Sequence, residues 1–450
     1  MQQPNIVLIL TDHFRPDALG KSTPHLSKLA STGTRFEHAY SAAPLCQPAR
    51  NCLITGKYPS QTGISGNQSP PLGEAARQDT FMRHLQSAGY YTAMVGKHHY
   101  IDRYGVGMDV TEDDAALRDY GFDYVFQVVD DTENLHNDDE YTEYLAQTGR
   151  LEQFREACKK SWSCPPHPFE LDDTVDGFVG CRGVRFVEEY AEERPFYLNL
   201  SFIGPHPPFW HPGELQHDPD RMPTALGVPD RKGDRVKRAH YMDRCTNIDH
   251  YVGRLLDALE ARGLRDNTVI LFTSDHGENA GDFGIWDKRY FYEQSCGVPL
   301  ILSGQGVAAE QRGCGARVSK ALVSHLDLYP TILNLAGIDC PRDSSRDGRN
   351  LLDILADLPG SAHDAVFAQL GTAEMIRTAN WKLVFDPEGD GVQQLFNLRR
   401  DPQELDNLAG MPGYESTTLD LVQRLLTHRI RLTQRTQAKE EQRLQRVRVV

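Results

Sequence analysis

Residues 5–13 read NIVLILTDH, in which the apolar run Ile6–Leu10 ends at Thr11 and a carboxylate, Asp12. A run that is apolar at every position, not at alternate ones, predicts a strand buried on both faces, as in a parallel sheet. Thr23-Pro24 then opens a helix through about Ala30, which Gly33 stops. The strand-then-helix order recurs along the chain. Thr80–Ala88 reads as a helix closed by Gly89, Tyr90–Val95 as a strand ending in Gly96-Lys97, and Phe196–Ile203 as a strand ending in Gly204-Pro205-His206. A long amphipathic helix, about Ala239–Arg262, leads through Gly263 to the strand Thr268–Thr273, which ends in Ser274-Asp275-His276-Gly277. Four strands thus carry Asp12, Lys97, His206 and Asp275 at their carboxyl ends, where open α/β sheets build their sites. The expectation is an α/β protein with one polar centre drawn from distant segments.

Elsewhere the pattern changes. Residues 100–180 are acidic and irregular, with Asp113-Asp114, Asp130-Asp131 and Asp138-Asp139-Glu140, and read as long surface excursions around a cleft. After a helix at Leu326–Ala336, the short segments Ala365–Leu370, Glu374–Arg377 and Trp381–Phe385 suggest an antiparallel meander, followed by a terminal helix from about Ser416. Two domains are expected, a catalytic one over 1–350 and a small C-terminal α+β subdomain over 351–450. Beyond His428 stand seven Arg or Lys against two Glu, a solvated or subunit-packing helix that leaves a homo-oligomer open.

Composition narrows the function classes. With 39 % apolar and 25 % charged residues the chain has globular composition, and its net charge of -15 argues against nucleic acid or an anionic membrane as partner. The nine cysteines show neither zinc-site nor disulfide-framework spacing. No signal peptide or membrane span is read, so the expected location is cytoplasmic, or periplasmic if a leader was removed. Gly20-Lys21-Ser22 resembles the end of a P-loop, but Arg15 stands where its first Gly is needed. HExxH, GxSxG and GxGxxG do not occur where their sites require them.

The strand ends themselves suggest a chemistry. Asp12 and Asp275-His276 offer hard oxygen donors and one imidazole, suited to a divalent cation such as Ca²⁺, Mg²⁺ or Mn²⁺. A single strand-end Asp is more often a cap or turn former, so the weight lies in finding both. Lys97, His99, His206 and Lys288 supply a cationic lining, and Arg50 lies one helical turn beyond Cys46. Such a lining fits an anionic, tetrahedral group.

Residues 46–56, Cys46-Gln47-Pro48-Ala49-Arg50 with Ile54-Thr55-Gly56, then resemble the signature of the type I sulfatase family in the alkaline phosphatase superfamily. The neighbours keep the family's register: Asn5–Asp12, Gly96-Lys97-His98-His99, Ser274-Asp275-His276-Gly277-Glu278, Gly284-Ile285-Trp286-Asp287-Lys288, and Leu395-Phe396-Asn397-Leu398 with Asp401-Pro402 and Glu404. The resemblance implies an alkaline-phosphatase-like mixed central sheet flanked by helices, with a small C-terminal antiparallel-sheet subdomain. It also implies hydrolysis of a sulfate ester, a small-molecule or carbohydrate one, to an alcohol and inorganic sulfate.

In that family the cysteine is oxidised to formylglycine by a formylglycine-generating enzyme, a transient partner. The hydrated aldehyde has two geminal hydroxyls, one to attack sulfur and one to expel sulfate afterwards, which a thiol lacks. By resemblance Asp12, Cys46, Asp275 and His276 hold the metal, and Lys97, His206 and Lys288 bind the sulfate oxygens. His206 or Lys288 protonates the alcohol, His99 deprotonates the second hydroxyl, and Arg50 holds the hydroxyls. The chain departs from the family at His13, where a second Asp is usual, which moves the expected metal from Ca²⁺ alone toward Ca²⁺ or Mn²⁺. It departs also at His98, usually Trp, and at Ala49, often Ser. Two readings compete with a sulfatase: a phosphonate or phosphate ester hydrolase of the same superfamily, and an inactive binding protein that keeps Cys46 as a thiol. Tyr100, Arg103, Trp210 and His211 are candidate contacts to the leaving alcohol.

Overall fold

In the computed structural model, which describes residues 3–101, 107–164, 166–304, 307, 317–341 and 345–447, strand β1 (Asn5–Thr11) runs through the middle of an eight-stranded sheet. It pairs in parallel with β6 (Phe196–Ser201) on one side and β8 (Thr268–Ser274) on the other. Val7 and Ile9 pack on one face with Ile248, Val252 and Leu255 of the long helix Lys232–Ala261, while Ile6, Leu8 and Leu10 pack on the other with Leu85 and Ile332. Both faces are therefore covered, which is why the apolar run is uninterrupted.

The remaining strands are β2 (Thr34–Tyr40), β3 (Tyr91–Gly96), β4 (Tyr124–Gln127), β9 (Leu300–Ser303) and β10 (Arg317–Ser324), in the order β10-β2-β9-β8-β1-β6-β3-β4. Only β9 among them runs antiparallel to its neighbours, so the sheet is mixed, as expected. The two-residue strands β5 (Pro166–His167) and β7 (His211–Pro212) pair apart from it. A second, antiparallel sheet is formed in chain order by β11 (Ala365–Leu370), β12 (Ala373–Thr378), β13 (Trp381–Asp386) and β14 (Gly391–Asn397). Leu421 and Leu425 of the helix Glu415–Val447 cover it, against Ile376, Leu383 and Leu395. Among the described residues no helix is long and apolar enough to cross a membrane.

The acidic stretch is more ordered than its composition suggests. It contains β4, which lies parallel to β3, and the helices Glu140–Gln147, Leu151–Cys158 and Val175–Glu189. Its acidic residues are in part helix caps: the Asp139 carboxylate accepts from Thr142 N, and Thr142 Oγ1 accepts from Asp139 N. The long helix begins at Lys232, ahead of the expected start near Ala239, because its first turns are charged and carry no apolar stripe.

Candidate active site

Five segments meet at the carboxyl edge of the large sheet. Asp12 follows β1, Lys97 follows β3, His206 follows β6, Asp275 and His276 follow β8, and Cys46 opens the helix Cys46–Thr55 beyond β2. At Gly96 the φ is +103, and a Cβ there would stand 1.9 Å from the carbonyl oxygen of Ser201, so only glycine lets β3 turn out into Lys97 beside its neighbour. Leu45 is the extended N-cap that places Cys46 in the first helical position, at the positive end of the helix dipole.

Cys46 is 1 % exposed, and Asp12, His13, Asp275 and His276 are fully buried. The Cys46 thiol Sγ lies 3.2 Å from His276 Nε2 and 3.7 Å from Asp12 Oδ1. His276 Nδ1 donates to the Gly277 carbonyl at 2.9 Å, which turns Nε2 toward the centre. Arg50 is wholly buried and binds Asp275 Oδ2 at 2.7 Å, Asp12 Oδ2 at 3.5 Å, and the Lys97 carbonyl and Ser201 hydroxyl at 2.9 Å each. Lys97 Nζ sits 2.6 Å from both Asp12 Oδ2 and Asp130 Oδ1. Lys288 Nζ donates to His13 Nε2 at 2.8 Å and to His206 Nε2 at 3.0 Å. His206 Nδ1 in turn donates to the Pro207 carbonyl at 2.6 Å.

These contacts set the charge states. Burial opposes a charged Cys46, yet Lys288, His276 and Lys97 hold its thiol well below the usual range. Asp12 is likewise held low against burial, chiefly by the Lys97 ammonium. Burial, with Lys288 close by, pushes His206 down to about 3, so its imidazole is neutral and accepts the Lys288 proton. Glu278, though buried, is held at about 2 by the His13 ring, whose Nδ1 lies 2.5 Å from Glu278 Oε2, and by the backbone N–H of Ala280 and Asp287.

The donor set fits a divalent cation. One ligand atom from each of Asp12, His13, Cys46 and His276 lies within 4.8 Å of the others, and Asp275 Oδ1 is 3.6 Å from His276 Nε2. The carboxylates Asp12, Asp130, Asp275 and Glu278 outnumber the fixed cations Arg50, Lys97 and Lys288, leaving negative charge for a metal to balance. Asp12, Asp130 and His206 also cluster, but the Lys97 ammonium already lies between the two carboxylates.

Of the expected site residues, Asp12, Cys46, Arg50, Lys97, His206, Asp275, His276 and Lys288 form this one contact network. His99, at φ +47 and buried, lines with Lys97 and Asp130 the adjoining pocket that Ile101, Val110 and Glu133 complete. The expected leaving-group contacts fare worse. Tyr100 is 1 % exposed, stacks on Tyr120 and Phe122 and accepts from Asn199, so it is a core residue. Trp210 packs on Phe154 and His167, and His211 donates to the Pro212 carbonyl beside Asp243, both buried by the apolar packing around them. Arg103 lies outside the described residues. The sequence reading assigned no role to Asp130 or to the Glu278–His13 pair; Asp130 stands just past the carboxyl end of β4, where the strand-end pattern would have found it had that strand been recognised.

Comparison with known proteins places the chain among similar ones. A family model described as Sulfatase matches residues 4–338, and one described as N-sulphoglucosamine sulphohydrolase, C-terminal, matches 281–431. The chain is similar to the choline-sulfatase of Rhizobium meliloti, at 29 % identity over 91 % of this chain and 83 % of that protein. It is similar also to the arylsulfatase of Clostridium perfringens, at 28 % identity over 94 % of each. Among solved structures, the phosphonate monoester hydrolase of Agrobacterium radiobacter has the same fold, with a TM-score of 0.78 at 23 % identity, covering 95 % of this chain and 96 % of that one.

Proposed function

The chain belongs to the sulfatase family, and on that premise we propose that it hydrolyses a sulfate ester at the buried centre around Cys46, releasing an alcohol and inorganic sulfate. The observation that carries this reading is the setting of Cys46. It lies at a helix N-terminus against His276 Nε2 and Asp12 Oδ1, with the Lys288 and Lys97 ammoniums near enough to hold its thiol low.

Family membership implies a divalent metal and a formylglycine at residue 46. Asp12, Asp275 and His276 would hold the metal, Ca²⁺ or Mn²⁺, which with the hydrated aldehyde would supply a Lewis acid and an oxygen nucleophile. The chain's own residues do the rest. Lys97 and Lys288 bind sulfate oxygens and offset the charge that builds on them as the ester bond breaks. Lys288 is the proton donor to the departing alcohol, and His206, whose Nε2 accepts from the Lys288 ammonium, holds that ammonium in place. Arg50 neutralises Asp275 and fixes the helix turn that begins at Cys46. His99, in the adjoining pocket, is the base for the second half-reaction.

The acid-base arrangement serves small and carbohydrate alcohols alike, and the relatives' names include a choline-sulfatase and an N-acetylglucosamine-6-O-sulfatase. The test is co-expression with a formylglycine-generating enzyme, peptide mass spectrometry at residue 46, and a panel of aryl, choline and sugar sulfates beside aryl phosphonates. The reading expects a peptide about 18 Da lighter than the cysteine form and turnover of sulfates that Cys46→Ala abolishes. Faster turnover of phosphonates than of any sulfate would replace it with the phosphonate hydrolase reading.

A further inference from the structure

Lys288 sits on an unfavourable stretch of backbone. Both of its neighbours are non-glycine residues in the left-handed region, Asp287 at φ +136 and Arg289 at φ +77. Such conformations persist only where the surroundings over-determine them. On the amino side, Asp287 N donates to Glu278 Oε1 at 2.6 Å, and just past Lys288 Arg289 N donates to the Pro44 carbonyl at 3.1 Å.

The carboxyl side is held by the second sheet. Lys382, in β13 and fully buried, donates from Nζ to the Phe291 carbonyl at 2.8 Å and pairs with Glu293 Oε1 and Glu404 Oε1 at 2.6 Å each. Glu404 Oε2 accepts from Glu293 N at 2.7 Å. Tyr40 donates to Glu293 Oε2 at 2.8 Å, and Arg377 of β12 donates to the Tyr40 hydroxyl at 2.8 Å. Phe291 and Cys296 are packed against Val366, Met375 and Val384 of the same sheet. Glu404 closes the Asp401-Pro402-Gln403-Glu404 segment and itself lies at φ +59. Two buried charges from beyond residue 380 thus grip the chain three to five residues after Lys288.

We propose that Lys382 and Glu404 are positioning residues for Lys288, clamping residues 291–293 so that the strained turn at 287–289 holds the Lys288 ammonium between His13 and His206. The C-terminal sheet is then part of the catalytic apparatus without touching the substrate. This rests on the role given to Lys288 above, and the experiment separates the two.

Glu404→Gln keeps the side-chain volume and removes the charge. With an unactivated alkyl or sugar sulfate, whose departure needs most proton help, Glu404→Gln is expected to lower kcat/KM about 10- to 100-fold, the scale of a misplacement of about 1 Å. In a Lys288→Ala background the same change should cost under twofold, because its effect passes through Lys288. Independently of turnover, hydrogen exchange over residues 286–292 should speed at least tenfold in Glu404→Gln while the strands of the large sheet keep their protection. Where Glu404→Gln fails to fold, Lys382→Arg, which keeps the buried charge but displaces its head, carries the same measurements. The proposal is overturned if kcat/KM stays within threefold of wild type, if the loss is equal in the Lys288→Ala background, or if exchange over 286–292 is unchanged. A wild type that turns over no ester sinks the functional reading alone, and the exchange result then decides the clamp.

Discussion

Replacing Arg50 with Met should destabilise the protein by about 4 kcal/mol in the presence of a chelator. The guanidinium is wholly buried and stands 2.7 Å from Asp275 and 3.5 Å from Asp12. Removing one partner of a buried ion pair costs about 3–5 kcal/mol, because the other charge is stranded away from water. Asp12 keeps the Lys97 ammonium at 2.6 Å, so the stranded charge is chiefly that of Asp275, which retains the His276 N–H at 2.8 Å. The Lys97 carbonyl and Ser201 hydroxyl also lose a donor, adding roughly 1 kcal/mol. Equilibrium urea unfolding of wild type, Arg50→Met, Asp275→Asn and the double variant measures this directly. In the double variant, with no carboxylate left to strand, at least half of the loss should return. With Ca²⁺ or Mn²⁺ added, the Arg50→Met penalty should shrink, since the folded state now binds a cation that balances the same carboxylates. An Arg50→Met protein within 1 kcal/mol of wild type in chelator, or a double variant no better than Arg50→Met, would refute the charge accounting.

Three further outcomes are expected. Glu278→Gln should weaken Mn²⁺ binding about 10- to 100-fold by calorimetry. Glu278 Oε1 already accepts from Ala280 N and Asp287 N, and Oε2 accepts from His13, so an amide must turn an N–H against a donor. Unchanged affinity would remove His13 from the metal's surroundings. Asp130→Asn should lower kcat/KM about tenfold by loosening Lys97, which now lies 2.6 Å from that carboxylate; a rate within twofold of wild type would show that Asp12 alone orients it. Asp131, which burial pushes up from 3.8 to about 6 despite Arg244, gives a pH signature. Between those values the folded protein holds a proton that the unfolded chain has lost, so this contribution to stability is full below pH 4 and fades as pH rises through 6, by roughly 3 kcal/mol at most. Urea midpoints of Asp131→Asn should therefore gain on wild type between pH 4.5 and 7.5, and parallel pH curves would contradict the assignment.

Much of the frame was legible because its signals are local. An unbroken apolar run such as Ile6–Leu10 has few alternatives to a doubly covered strand, and strand ends are where such sheets gather polar groups, which is how Asp12, Lys97, His206 and Asp275 could be grouped across the chain. The strand Tyr124–Gln127 escaped because four residues carry too little periodicity to stand out among acidic neighbours, and Asp130 was lost with it. Tyr100 and Trp210 misled for a different reason: polar aromatic tips near a site look like ligand contacts, whereas their rings are held by Tyr120, Phe122, Phe154 and His167 from segments that nothing local connects to them. The Lys382–Glu404 grip was illegible in the same way, since a buried lysine in a strand gives no sign of the loop it holds.

The helix that begins at Cys46 has no outward face: every residue from Cys46 to Thr55 is buried. A modifying enzyme therefore has nothing to grasp once the native state has formed. On the proposed chemistry, maturation has to win a race against folding, and a molecule that folds first is trapped with an inert sulfur where its oxygen should be. The fraction of active enzyme in a preparation would then record the history of each chain at synthesis, and no later addition of metal or oxidising enzyme to folded protein would raise it.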